Sequence, residues 1–194
     1  MSGVRGRIAP GLMEEKSPVC RRRRQRKDGS KVKIYGLVQD SIVDGPGFRF
    51  SCFVQGCPHH CLGCHNPDSH DPNGGKEMTV EEVAKELLKN PLTDGLTLSG
   101  GDTFAQPDDC LALARIAHEN KLNVWAYSGW TFEYLRDQGT DAQKALLAEI
   151  DVLVDGPFLL EQRSLSLPWR GSRNQRVIDV PASLAAGEAV IRPD

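Results

Sequence analysis

Three cysteines fall close together in the run Cys57-Pro58-His59-His60-Cys61-Leu62-Gly63-Cys64. Thiolates at this spacing can wrap one small inorganic centre. Cysteine is the ligand of iron–sulfur clusters, and a 4Fe–4S centre held by only three cysteines leaves one iron open to a substrate. The alternative is a zinc site that recruits Cys52 or one of His59, His60 and His65 as its fourth ligand. His59 and His60, adjacent in a tight loop, read as solvated loop residues. Cys52 alternates with Phe48, Phe50 and Val54 as on a half-buried strand, while Cys20 and Cys110 are isolated.

The elements that must position this loop follow a strand–helix alternation. Strands are predicted over 34–38, 48–54, 95–98, 122–127, 152–154 and 177–180. Helices are predicted over 80–89, 108–119, 132–137 and 141–149. Thr79 and Glu82 form a capping-box pair, and Val80, Val83, Ala84, Leu87 and Leu88 share one helical face. Such alternation with short connections predicts an α/β fold, either a partial (β/α) barrel or an open, curved, mostly parallel sheet with helices outside. In these folds functional residues gather at the carboxyl ends of strands. Three strands end in polar or glycine-rich turns: Ser99 to Asp102, Ser128-Gly129 and Asp155-Gly156.

The chain has 194 residues, room for one domain. Residues 1–33 hold 11 Lys/Arg against 3 Asp/Glu, and the remainder holds 13 against 23. The first 33 residues therefore read as a basic, disordered tail, and 34–194 as the folded domain. An acidic domain is a poor nucleic-acid binder. No apolar run approaches the about 20 residues of a membrane-spanning helix, and no secretory signal stands at the N-terminus, so the cytoplasm is the expected compartment. There thiols stay reduced, and clustered cysteines favour a metal or redox centre over disulfides.

Cys57-x3-Cys61-x2-Cys64 resembles the signature of the radical S-adenosylmethionine (SAM) enzymes. The stretches Ser41 to Arg49 and Gln55 to Pro67 look like the glycyl-radical activases within that superfamily. Ser99-Gly100-Gly101-Asp102, then Val152 to Phe158, then Trp169 to Gln175 follow in the order expected of the anaerobic ribonucleoside-triphosphate reductase activating proteins. The resemblance covers residues 34–180.

It implies that Cys57, Cys61 and Cys64 hold a 4Fe–4S cluster whose fourth iron is chelated by SAM. It implies SAM contacts at Gly63, Cys64, His65, Gly100, Gly101 and Asp102, with Ser128 and Asp155 as candidates for the ribose or carboxylate. Trp169, Arg170, Asn174 and Gln175 match a family motif and would either contact the partner or the site mouth or serve a purely structural role. The implied partners are the large subunit of an anaerobic ribonucleoside-triphosphate reductase and an electron donor such as flavodoxin. One position departs from the family pattern: Thr103 stands where proline usually follows the acidic residue. A pyruvate formate-lyase-type activase, or another small radical SAM enzyme, is the nearest alternative. From another class, a zinc-stabilised binding module would need no SAM pocket.

Overall fold

The computed structural model describes residues 29–193. A single seven-stranded sheet runs in the order β3-β1-β2-β4-β5-β6-β7. Its strands are β1 (Lys31–Ser41), β2 (Arg49–Val54), β3 (Lys76–Thr79), β4 (Gly95–Gly100), β5 (Asn123–Tyr127), β6 (Val152–Asp155) and β7 (Arg176–Asp179). The four central strands β2, β4, β5 and β6 are parallel. Antiparallel strands flank them: β1 beside β2, β3 beside β1, and β7 beside β6. This is the open α/β sheet that the strand–helix alternation predicts.

Side chains alternate across each strand, so the sheet has two unlike faces. Phe50, Cys52 and Val54, Leu96 and Leu98, Val124 and Ala126, and Leu153 all point into one continuous apolar core. Against them pack Val83 and Leu87 of α1 (Val80–Leu87), Leu113 and Ala117 of α2 (Pro107–Glu119), Phe132 and Leu135 of α3 (Phe132–Asp137), and Leu146 and Leu147 of α4 (Asp141–Leu147). The opposite face carries Arg49, Ser51, Thr97, Ser99, Trp125 and Tyr127 instead. Helices cover the first face, and the second is left to build a site.

Two expectations change. β1 begins at Lys31, and Val32 is fully buried, so the folded domain starts before residue 34. The cause is β3, a short polar strand that pairs Lys31 with Thr79 and Val32 with Met78. The rest of the expected tail, residues 1–28, lies outside the described residues. The last strand ends at Asp179 rather than Val180, because Val180 opens α5 (Val180–Ala186). Asp179 caps that helix by accepting the Ala182 N–H at 2.9 Å, Pro181 sits in its first turn, and Gly187 closes it in the left-handed conformation.

α1 starts as predicted. Thr79 Oγ1 accepts the Glu82 N–H at 3.1 Å, and the Glu82 carboxylate accepts the Thr79 N–H at 2.7 Å. The bonds from Thr79 hold the Glu82 carboxyl below the usual glutamate range. This reciprocal pair is therefore intact at neutral pH and is lost only as the pH falls through that depressed range. Thr79→Ala should lower the unfolding free energy at pH 7 by about 1 kcal/mol, seen in thermal unfolding as a fall of roughly 2–4 °C.

Candidate functional site

The iron-type loop leaves β2 through Gly56. Two backbone bonds fasten its start, Gly56 N–H to Ser69 O at 2.8 Å and Cys57 N–H to His70 O at 3.1 Å. A turn closes its end, with Cys64 N–H on Cys61 O at 3.1 Å, and the Asn66 N–H donates to Cys64 Sγ at 3.4 Å. Cys57, Cys61 and Cys64 are free thiols of intermediate burial. Burial pushes the Cys57 thiol up, while backbone N–H groups of His59 and His60 act the other way.

Among the described residues no three His, Cys, Asp or Glu side chains gather as they would round a single ion. A 4Fe–4S cluster makes a different demand, since each thiolate takes its own iron. Three partly exposed thiols on one anchored loop, with a backbone donor already on one sulfur, fit that demand. Cys52 and Cys110 do not compete. Both are fully buried in the core, and burial pushes the Cys52 thiol up to about 12 and that of Cys110 well above its ordinary value.

The glycines after β4 serve close backbone contact. Gly100 has φ +102°, and a Cβ there would lie 2.5 Å from Val54 N. One at Gly101 would lie 2.7 Å from the Gly56 carbonyl carbon. The Gly101 and Asp102 N–H groups donate to Val54 O and Gly56 O, each at 2.8 Å. The end of β4 is thus pressed onto the start of the cysteine loop.

Asp102 is 1% exposed, and its carboxylate accepts four donors. They are Phe104 N–H at 2.8 Å, Gly129 N–H at 2.8 Å, Ser128 Oγ at 3.0 Å and His59 Nε2 at 2.9 Å. The carboxylate is thus fully engaged by donors of the protein itself. The chain turns directly into a 3₁₀ turn at Thr103–Ala105, and Asp102 caps it.

Ser128 and Asp155 are likewise engaged within the protein. Ser128 Oγ donates to Asp102 and accepts the Trp130 N–H at 3.1 Å. Asp155, 1% exposed, accepts the Phe132 N–H at 2.8 Å and two donors of Arg176, which also reaches Glu133. His59 is not a solvated loop residue: its ring is largely buried against Trp130, with centroids 4.5 Å apart.

On the open face of the sheet lies a cavity of about 890 Å³. Of the residues singled out from sequence, it is lined by Gly63, His65, Trp169, Arg170 and Gln175; Gly100, Gly101, Asp102, Ser128, Asp155 and Asn174 are not part of its lining. Asp44, Ser99 and Tyr127 also line it; the sequence marks Asp44 and Ser99 only as members of longer motifs and gives Tyr127 no site role. Their signal was the alternation itself, which turns Ser99 and Tyr127 away from Leu98 and Ala126. Burial pushes the Tyr127 hydroxyl above its ordinary range.

Beneath the cavity Arg49 is fully buried and donates to Thr97 Oγ1 at 3.0 Å, Asn123 Oδ1 at 2.6 Å and Leu96 O at 2.6 Å. Burial lowers it to about 10, which leaves it charged at neutral pH. Its guanidinium lies 5.8 Å from the Trp125 ring centroid, and Trp125 meets Trp169 edge-on at 5.3 Å.

Trp169 belongs to a flap, residues 159–171, that forms one wall of the cavity. The base of the flap is pinned by side chains that follow it. Ser172 Oγ accepts the Leu159 N–H, Gln175 Oε1 accepts the Gly171 and Ser172 N–H groups, and Asn174 Nδ2 donates to Pro157 O at 2.7 Å. Asn174 is thus a fastener outside the cavity, whereas Trp169 and Arg170 face it.

Residues 43–178 match the family described as the 4Fe-4S single cluster domain. The anaerobic ribonucleoside-triphosphate reductase-activating protein of Vibrio cholerae is 39% identical over 143 residues, covering 69% of this chain and 89% of its own length. The chain belongs to this family of 4Fe–4S activating proteins. The Escherichia coli K12 member, of the same description, is 37% identical over 146 residues, covering 70% and 91%. The pyruvate formate-lyase-activating enzyme of Clostridium pasteurianum is 38% identical over 97 residues, covering 47% of this chain and 41% of its own length. Membership in the 4Fe–4S family removes the zinc-stabilised module as a reading of the cysteine loop.

Replacing Cys57, Cys61 or Cys64 by Ala should leave the anaerobically reconstituted protein without its full iron and sulfide, whereas Cys52→Ala and Cys110→Ala should retain both. Iron and sulfide assays per chain decide this. Iron loss in Cys52→Ala would contradict the three-ligand assignment.

Proposed function

We propose that the protein is a radical SAM activase that generates a glycyl radical on the large subunit of an anaerobic ribonucleoside-triphosphate reductase. The observation that carries this reading is the junction of a three-cysteine loop with an 890 Å³ cavity, made through Gly63 and His65. Three thiolates for four irons leave one iron to meet a ligand in that cavity. When bound, the cluster, reduced by one electron from a donor such as flavodoxin, supplies the cleavage of SAM to methionine and a 5′-deoxyadenosyl radical that takes a hydrogen atom from a glycine Cα of the partner.

The chain's own residues position and protect that chemistry. Cys57, Cys61 and Cys64 hold three irons. Gly63, Cys64 and His65 offer backbone and ring at the junction, and Ser99 and Tyr127 present hydroxyls to the cavity. Gly100, Gly101 and Asp102 hold the end of β4, Ser128 secures Asp102, and Asp155 fixes the neighbouring strand end through Arg176. The flap limits access of water. Trp169 and Arg170 face the entrance, and Asn174 and Gln175 hold the flap that carries them.

A partner protein suits the rim. Ile42, Val43 and Leu165 line the cavity and are 70, 71 and 89% exposed, an apolar mouth that a small polar substrate would not require. Radical attack is indiscriminate among nearby C–H bonds, so docking geometry must select the glycine. The reaction belongs in the cytoplasm, where thiols stay reduced. Among the described residues no helix is long and apolar enough to cross a membrane.

Mixed anaerobically with a reductant, SAM and the reductase large subunit, the protein should yield 5′-deoxyadenosine and a stable glycyl radical by EPR, with little or none when pyruvate formate-lyase is offered instead. The opposite preference would overturn the partner while leaving the activase chemistry in place. Deleting residues 1–28 should leave iron content and SAM cleavage unchanged, and any effect should appear as weaker, more salt-sensitive partner binding. A large fall in iron would refute this.

A further inference from the structure

The loop between Cys57 and Cys64 has few ties of its own. Its backbone is anchored at the start and closed by one turn at the end, and Leu62 is 79% exposed. The His60 side chain meets the His70 ring edge-on at 5.1 Å. His59 differs. Its Nε2 lies 2.9 Å from Asp102 Oδ2, and because a carboxylate only accepts, that nitrogen carries the hydrogen. The same oxygen accepts the Gly129 N–H and Ser128 Oγ at the end of β5. Asp102 itself follows β4, and its N–H holds Gly56 after β2. One buried carboxylate therefore ties together the ends of three parallel strands, and His59 is the side chain by which the cysteine loop reaches it.

The fit round the ring is close. A Cβ on residue 129 would lie 2.6 Å from His59 Cγ, so glycine there lets the strand end come up against the imidazole. Trp130 covers the ring edge-on at 76°. Packing and hydrogen bond together fix the middle of the loop against the framework that borders the cavity.

Resting on the activase reading above, we propose that His59 is a positioning residue. Through Asp102 it sets where the cysteine loop stands relative to the ends of β4 and β5, and so where the open iron meets SAM. A loop that kept its thiols but lost this tie would still collect iron. It would present the open iron out of register with a ligand held by the strand ends, and small misplacements of reacting groups carry large losses.

Two variants separate hydrogen bond from packing. His59→Phe keeps a ring against Trp130 and removes the donor; His59→Gln places an amide N–H at comparable reach of Asp102. The full-length protein is reconstituted anaerobically, and three quantities are measured: iron per chain, thermal unfolding before reconstitution, and the SAM concentration that half-converts the EPR spectrum of the reduced cluster. His59→Phe should keep wild-type iron and remain cooperatively folded, unfolding a few degrees lower because Asp102 loses one of its four donors, yet need about ten-fold more SAM or more. His59→Gln should need no more than about two-fold the wild-type concentration.

A wild-type SAM response in His59→Phe overturns the proposal. So does a His59→Gln protein as poor as His59→Phe, which would make ring shape rather than the hydrogen bond decisive. Loss of fold or iron in His59→Phe would show a clasp for stability alone and likewise overturn it. If the wild-type spectrum itself ignores SAM, the activase reading fails, and this inference fails with it.

Discussion

A carboxylate withdrawn from water must be compensated by donors or it destabilises the fold. Asp102 is where this constraint shapes the molecule. Its four donors come from the cysteine loop, the turn after β4 and the segment after β5, so the charge is satisfied only when all three are in place. A second buried carboxylate, Asp155, joins the end of β6 to α3 and, through Arg176, to β7. The carboxyl ends of the parallel strands are thus held by two buried acids whose partners lie far apart in sequence. This makes the site region specific in geometry rather than merely compact.

The two-faced sheet explains why such clasps are needed on one side only. On the helix side, apolar contact is non-directional and tolerates small adjustments. On the open side Arg49, Thr97, Trp125 and Tyr127 have no helix to lie against, so directional bonds and ring contacts take over. Among the described residues no carboxylate touches the buried Arg49, and its charge is held by a hydroxyl, an amide and a carbonyl. Trp125 relays that support to Trp169 and hence to the flap.

Much of this was legible in the sequence. The spacing of Cys57, Cys61 and Cys64 marked a metal centre, because three thiolates on one short loop have few uses, while the choice of iron over zinc came from the family match. Period-two alternation in β2 and the Thr79–Glu82 pair before α1 were equally readable, since both are local. β3 was missed because a four-residue segment with a single apolar side chain, Met78, makes a strand only when β1 lies beside it. Val180 read as strand because it is β-branched, although the Asp179 cap and Pro181 signalled a helix start. Asp102, Ser128 and Asp155 were harder. The residue types that bind a polar ligand at a strand end are those that satisfy buried backbone groups there, and only the tertiary partners tell the two apart. His59 was hidden for the same reason, its partner lying 43 positions along the chain.

The flap enters the sheet only through its two stems. Ser172, Asn174 and Gln175 fasten those stems to residues 156–159, while the tip from Ser164 to Pro168 hangs over the cavity and Leu165 stands almost wholly in solvent. The cysteine loop reaches the cavity from other strands, and its main clasp is Asp102. Chemistry and admission are therefore carried by separate parts of the chain. Residues of the tip can be exchanged, lengthened or recharged by drift without disturbing the thiols. A lineage could in this way acquire a new protein target while inheriting an unaltered reaction.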